Sequence, residues 1–114
     1  MKIIFVLEDD LFERHAQKYG INYFLEKNQK VEILNITPIT RRKYYFEYLR
    51  KKYKNRNRHK SIKIKTFFKK KDLILNIKKL NLQDIVIAHI GVNNDTEFLI
   101  KTLNKYKIKY VQYS

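Results

Sequence analysis

Two runs, KIIFVL at residues 2–7 and DIVIAHI at residues 84–90, decide the fold. Both are dense in Ile, Val and other apolar residues, without the strict polar alternation of a half-exposed strand. A strand buried on both faces of a sheet reads this way. Three further runs are strand-like: residues 30–36, with Val31, Ile33 and Ile36; residues 61–67, with Ile62, Ile64 and Thr66 facing one way and Lys63 and Lys65 the other; and residues 107–113. The alternating 61–67 run predicts an edge strand.

Helical spacing fills the intervals. Phe12, Ala16, Tyr19 and Tyr23 predict a helix over 11–28, although Gly20 inside it costs about 1 kcal/mol. Thr37-Pro38 ends the second strand, and Tyr45, Leu49 and Tyr53 predict a helix over 41–53. Residues 70–80 bury Leu73, Ile74, Ile77 and Leu80, and residues 94–106 bury Phe98, Leu99 and Leu103. Strict β/α alternation builds a parallel sheet with helices on both faces. With the two most apolar strands at its centre, the predicted architecture is a single five-stranded, doubly wound α/β domain of order 3-2-1-4-5.

The 114 residues suffice for one domain. There is no Cys, and three scattered histidines (His15, His59, His89) make no zinc pattern, so neither a thiolate or zinc site nor a disulfide is expected. No apolar run reaches the roughly 20 residues of a membrane span. The N-terminal run is too short for a signal peptide and passes directly into Glu8-Asp9-Asp10, which predicts a cytoplasmic protein.

Ligands of open parallel sheets bind beyond the carboxyl ends of the strands, where the strand order reverses. That rule gathers Glu8, Asp9 and Asp10 after the first strand, Thr37 and Thr66 after the second and third, and His89, Gly91, Asn93 and Asn94 after the fourth. The first loop excludes a dinucleotide site of the usual kind. Such sites carry G-x-G-x-x-G there, whereas three carboxylates repel a pyrophosphate. No cofactor is expected.

Three readings of the acidic trio stand side by side. Asp10-Leu11-Phe12-Glu13 fits a helix capping box. Clustered carboxylates suit a divalent cation. Carboxylates also accept hydrogen bonds from sugar hydroxyls. His89, at the end of a buried strand, is either a structural hydrogen-bonding group or a general base. Gly91 suits a strand-to-helix turn, and Asn94-Asp95-Thr96-Glu97 offers a second capping box with Asn94 as the cap.

The formal charge is +15, and it is uneven. Residues 41–60 hold ten Lys or Arg against one Glu, while the other 94 residues hold 16 basic and 10 acidic groups. Lys, Asn and Ile together supply 45 residues, the composition that an AT-rich genome writes at tolerant surface positions, but such drift does not concentrate charge in one segment. Tyr44, Tyr45, Phe46, Tyr48 and Tyr53 are interleaved with Arg41, Arg42, Lys43, Arg50, Lys51 and Lys52. Basic and aromatic residues together suit an anionic membrane surface. They also suit single-stranded nucleic acid, although no nucleic-acid motif accompanies them. A solvated helix with its Tyr stripe turned to the core is the third reading.

The stretch FVLEDDLFERHAQKYGINYFLEKNQKVEILNITPI, with the later DIVIAHIG and the closing IKYVQYS, resembles the N-terminal Rossmann-like domain of GT-B-type glycosyltransferases encoded with capsular and lipopolysaccharide biosynthesis. The resemblance implies an acceptor-side domain, the N-terminal half of a longer two-domain protein. Its partners would be a sugar or lipid-linked glycan acceptor and a C-terminal domain that binds the nucleotide sugar. On its own it would be catalytically incomplete. With the residues that topology gathers at the rim, this reading makes Glu8, Asp9 and His89 the candidate catalytic residues and Asp10, Thr37, Gly91, Asn93 and Asn94 the candidate substrate contacts. The basic segment would sit at the inner face of the cell membrane. The alternatives are a non-enzymatic basic binding module and a degenerate receiver domain. VLEDD followed by a helix is similar to the start of response-regulator receivers, but His89 stands where their phospho-accepting Asp would be, and the closing strand lacks their Lys.

Overall fold

A computed structural model describes residues 1–8, 20–41, 62–91 and 94–113. Its described elements are β1 (Lys2–Leu7), α1 (Ile21–Glu26), β2 (Lys30–Asn35), α2 (Thr37–Thr40), β3 (Lys63–Thr66), α3 (Lys70–Lys78), β4 (Ile85–His89), α4 (Glu97–Lys105) and β5 (Lys109–Tyr113). The strands form one sheet of order β3-β2-β1-β4-β5. Every neighbouring pair is parallel. The expected α/β architecture is therefore the observed one, with β1 central and β3 and β5 at the edges.

Alternation along the central strands divides the core into two layers. Ile4 and Val6 of β1, Leu34 of β2 and Val86 and Ala88 of β4 face Leu73 and Ile77 of α3 and Leu99 and Leu103 of α4. Ile3, Phe5 and Leu7 face the opposite way with Val31, Ile33 and Ile62, beneath Ile21, Phe24 and Leu25 of α1 and the turn that follows it. The five residues Ile3 to Leu7 are all buried. A strand covered on both faces explains why residues 2–7 read as one unbroken apolar run. Ile62, just before β3, and Ile64 within it join the second layer while Lys63 is exposed, as the alternating pattern predicts.

The helix boundaries depart from the sequence expectation at three places. Gly20 lies at φ 76°, a left-handed conformation, and occupies the N-cap of α1, so no single helix runs through it. Only Gly adopts that angle without steric cost. Residues 9–19 lie outside the described residues, as do residues 42–61 with most of the expected 41–53 helix. Arg41 is not a helix start but the C-cap of α2, whose first turn carries Pro38. The last helix begins at Glu97 behind Thr96, not behind Asn94.

Two helices end in the same way. Gln29 N–H donates to Phe24 O (3.0 Å) and Asn28 N–H to Leu25 O (3.1 Å) at the end of α1. Ile108 N–H donates to Leu103 O (2.9 Å) and Lys107 N–H to Asn104 O (3.2 Å) at the end of α4. These are Schellman motifs, with Asn28 (φ 56°) and Lys107 (φ 57°) in the left-handed position. Ile108 and Leu103 also share the core, the apolar contact that accompanies the motif. Asn tolerates this backbone; Lys does not, at about 1–2 kcal/mol. Replacing Lys107 by Gly is expected to stabilise the fold by about 1 kcal/mol. The check is a higher urea midpoint with an unchanged slope; an unchanged midpoint would show that the helix end carries no strain.

Candidate functional site

The strand ends are level. Leu7 pairs with Asn35 on one side and His89 on the other, Asn35 pairs with Thr66, and His89 pairs with Tyr113. Parallel strands in register thus bring Glu8, Ile36, Phe67 and Ile90 to a common rim. Strand order reverses across β1 and β4, so Glu8 and His89 sit at the switch point.

Glu8 is the most unusual group there. Its side chain is only 9% exposed, and Arg41 Nε donates to Oε2 at 3.4 Å from a side chain that is 60% exposed. The other oxygen, Oε1, is shielded from solvent and has no hydrogen-bond partner. A carboxylate at this depth normally has both oxygens satisfied, because burying an unpaired charge is costly. Here one long contact from the Arg41 guanidinium is the described hydrogen bond, and Oε1 has no donor. Arg41, expected in the membrane- or anion-binding patch, has this carboxylate as its described partner.

Alternation places the two central rim residues on opposite faces. His89 follows Ile85 and Ile87 and lies over Phe5, their rings almost parallel (6°) with centroids 6.1 Å apart. Glu8 continues the parity of Ile4 and Val6, on the face of α3 and α4. The rim therefore gathers them along the sheet edge, but their side chains leave it in opposite directions.

Thr37 is buried and committed to a turn. Its N–H (3.0 Å) and its hydroxyl both donate to Asn35 Oδ1. This Asx-type turn closes β2 onto Pro38 and α2, while Ile36 N–H donates to Leu7 O at 2.9 Å and ties the turn to β1. Asn35 escaped the sequence reading, although Asn-Ile-Thr-Pro is a recognisable turn string. Gly91 accepts the Thr96 hydroxyl through its carbonyl at 2.6 Å, so Thr96 fixes the β4–α4 connection rather than capping α4 with its side chain. Asn94 is exposed in that turn. Asp9, Asp10, Asn93, Arg42, Lys43, Arg50, Lys51 and Lys52 lie outside the described residues.

Among the described residues, no group of three His, Cys, Asp or Glu side chains is placed to hold a metal ion. Nor is any described helix long and apolar enough to cross a membrane. The described rim offers a buried carboxylate oxygen without a hydrogen-bond donor on one face and, on the other, an imidazole parallel to the Phe5 ring. Compared with known proteins, the chain matches no family model, no curated protein and no solved structure.

Proposed function

We propose that this rim binds a sugar hydroxyl, and that the chain is the acceptor-side domain of a glycosyltransferase-like protein of bacterial surface-polysaccharide synthesis. The observation that carries the reading is the buried Glu8 carboxylate at the switch point with Oε1 unpartnered. A hydroxyl is the donor that fits: it is neutral, small, and gains a charge-assisted hydrogen bond. In the reaction this reading implies, the acceptor oxygen bonds to the anomeric carbon of a nucleotide sugar and the nucleoside diphosphate leaves. The acceptor's proton passes to a carboxylate of the Glu8 and Asp9 pair, since the His89 ring lies on the opposite face of the sheet from Glu8. A second domain supplies the nucleotide sugar, so the chain is catalytically incomplete alone. The basic segment, residues 41–60, suits contact with anionic lipid at the cytoplasmic face of the membrane, where lipid-linked acceptors reside.

Saturation-transfer NMR with methyl glycosides of glucose, galactose and N-acetylglucosamine tests the reading. At least one is expected to bind the wild-type chain. Glu8→Gln keeps the shape and removes the charge, and should weaken that binding about tenfold or more, the worth of a hydrogen bond to a charged group. No contact with any glycoside, or affinity indifferent to Glu8→Gln, would sink the sugar site.

A further inference from the structure

The outer surface of α3 carries apolar residues that the core does not use. Leu73 and Ile77 are buried against the sheet. Leu75, two residues from each, is turned about 160° away from them around the helix, and it is 45% exposed. Phe68, just before the helix, is 53% exposed, and Leu82, in the turn that follows it, is 61% exposed. Among the described residues six large hydrophobic side chains are exposed, so half of them cluster on and beside one helix. Lysines surround this cluster. Lys71, Lys78 and Lys79 stand at i−4, i+3 and i+4 from Leu75, the positions that neighbour it on the helix surface, and all three are exposed. Residues 68–82 hold five Lys against one Asp.

We infer that the outer face of α3 is a docking surface for an anionic lipid bilayer. Leu75 and Phe68 enter the boundary between head groups and acyl chains, and Lys71, Lys78 and Lys79 reach the lipid phosphates. The inference stands apart from the sugar site and adds a contact separate from the basic segment 41–60. The mixture of residues selects the partner. Lysines alone would suit any polyanion, but leucine gives a nucleic-acid base no ring to stack on. Leucines alone would suit a partner helix, but the cations at i−4, i+3 and i+4 interrupt the apolar stripe that such a helix buries. A bilayer accommodates both. The apolar side chain sinks, while the lysine stems lie along the acyl boundary and leave their ammonium groups at head-group level. Each lysine near an anionic surface strengthens binding roughly fivefold.

The chain has no Trp, so a single introduced Trp reports on its own surroundings. Leu75→Trp probes the α3 face. Val111→Trp is the control: Val111 is also 45% exposed, but it pairs with Ile87 on the sheet face opposite α3. The full chain carrying either substitution is titrated with vesicles of phosphatidylglycerol and phosphatidylcholine in equal parts, and with phosphatidylcholine alone. On the anionic vesicles the Leu75→Trp emission is expected to shift to the blue and to be quenched by brominated acyl chains, while Val111→Trp stays unchanged. In co-sedimentation, Leu75→Ser and the triple variant Lys71→Gln, Lys78→Gln, Lys79→Gln should each weaken binding about fivefold or more. Circular dichroism confirms the fold of each. Binding with Leu75→Trp unshifted and both sedimentation variants at wild-type affinity would overturn the α3 face while the basic segment stands. A shift at Val111→Trp in place of Leu75→Trp, or a loss confined to the lysine variant, would also overturn it. If the wild-type chain binds no anionic vesicle, both lipid contacts fall, and the sugar site is left to its own test.

Discussion

Replacing Phe5 by Ala is expected to lower the unfolding free energy by about 3–5 kcal/mol, the range for deleting a large aromatic side chain from a core. Phe5 is fully buried at the middle of the central strand. Its ring meets Phe24 of α1 edge-on, with centroids 5.9 Å apart and planes at 62°, and lies parallel to His89. One side chain therefore joins the sheet, the helix above it and the rim. No single neighbour can collapse into the space, because the flanking strands are held in register on both sides. For a domain stabilised by about 5–15 kcal/mol in total, a loss of that size takes roughly a fifth of the stability at the least and all of it at the most. Phe5→Leu, which keeps most of the volume, should cost about 1.5 kcal/mol. Urea titrations give both values. The same variants report on the rim: without the Phe5 ring beneath it, the ring-proton resonances of His89 should shift in both Ala and Leu variants. A midpoint within error of wild type for Phe5→Ala would contradict the packing described, and unmoved His89 resonances would contradict the stacking.

The sequence makes the sheet legible because burial on two faces leaves a short, β-branched apolar run, too short for a buried helix. Lys2–Leu7 was readable to the residue for this reason, and β3 was readable as an edge from the alternation of Ile and Lys. The strand order then followed from which runs are most apolar. Helix boundaries were less legible. Gly20 reads as a tolerable residue within a helical pattern, since the pattern continues through Tyr23, and only the left-handed backbone reveals a break. Likewise Asn94 and Thr96 are both good caps by type. The choice between them is made by Gly91, whose carbonyl takes the Thr96 hydroxyl across the turn, a contact with no sequence period.

The candidate site was legible only in part, and for a similar reason. Topology alone brings Glu8, Thr37, His89 and Gly91 to one edge, but it does not say which of them have spare hydrogen-bonding capacity. Thr37 looked like a ligand contact because it follows a strand; its donors are spent on Asn35. Gln112 is not among the residues that the sequence singles out, and its amide nitrogen is found without a partner only once β5 is placed beside β4. Unused valence is a property of assembled neighbours, so residue types in a row cannot show it.

The amino-terminal end of the sheet carries a group whose removal should be costly without touching the rim. Asp84 is buried, and both carboxylate oxygens are used: Oδ1 accepts from Lys2 N–H at 2.9 Å and Oδ2 from Asn81 N–H at 3.0 Å. Its own N–H donates to Asn81 O at 2.9 Å. The first bond pins the start of β1 to the residue before β4, 82 positions away in the chain, and the others close the turn after α3. Asp84→Ala leaves two backbone donors without their charged acceptor, and the expected loss is about 3 kcal/mol, reduced where water reaches the vacated donors. Asp84→Asn should lose less, since its amide oxygen still accepts one bond while its NH2 faces the other donor. Urea midpoints measure both. The sheet's two ends then separate experimentally. In contrast to the Glu8 variant, Asp84→Asn should bind glycosides with wild-type affinity when compared at equal folded fraction, because Asp84 lies at the amino ends of the strands. Weakened binding in folded Asp84→Asn would mean that the rim depends on the register set at the far end, and that stability and recognition share residues along the whole length of β1 and β4.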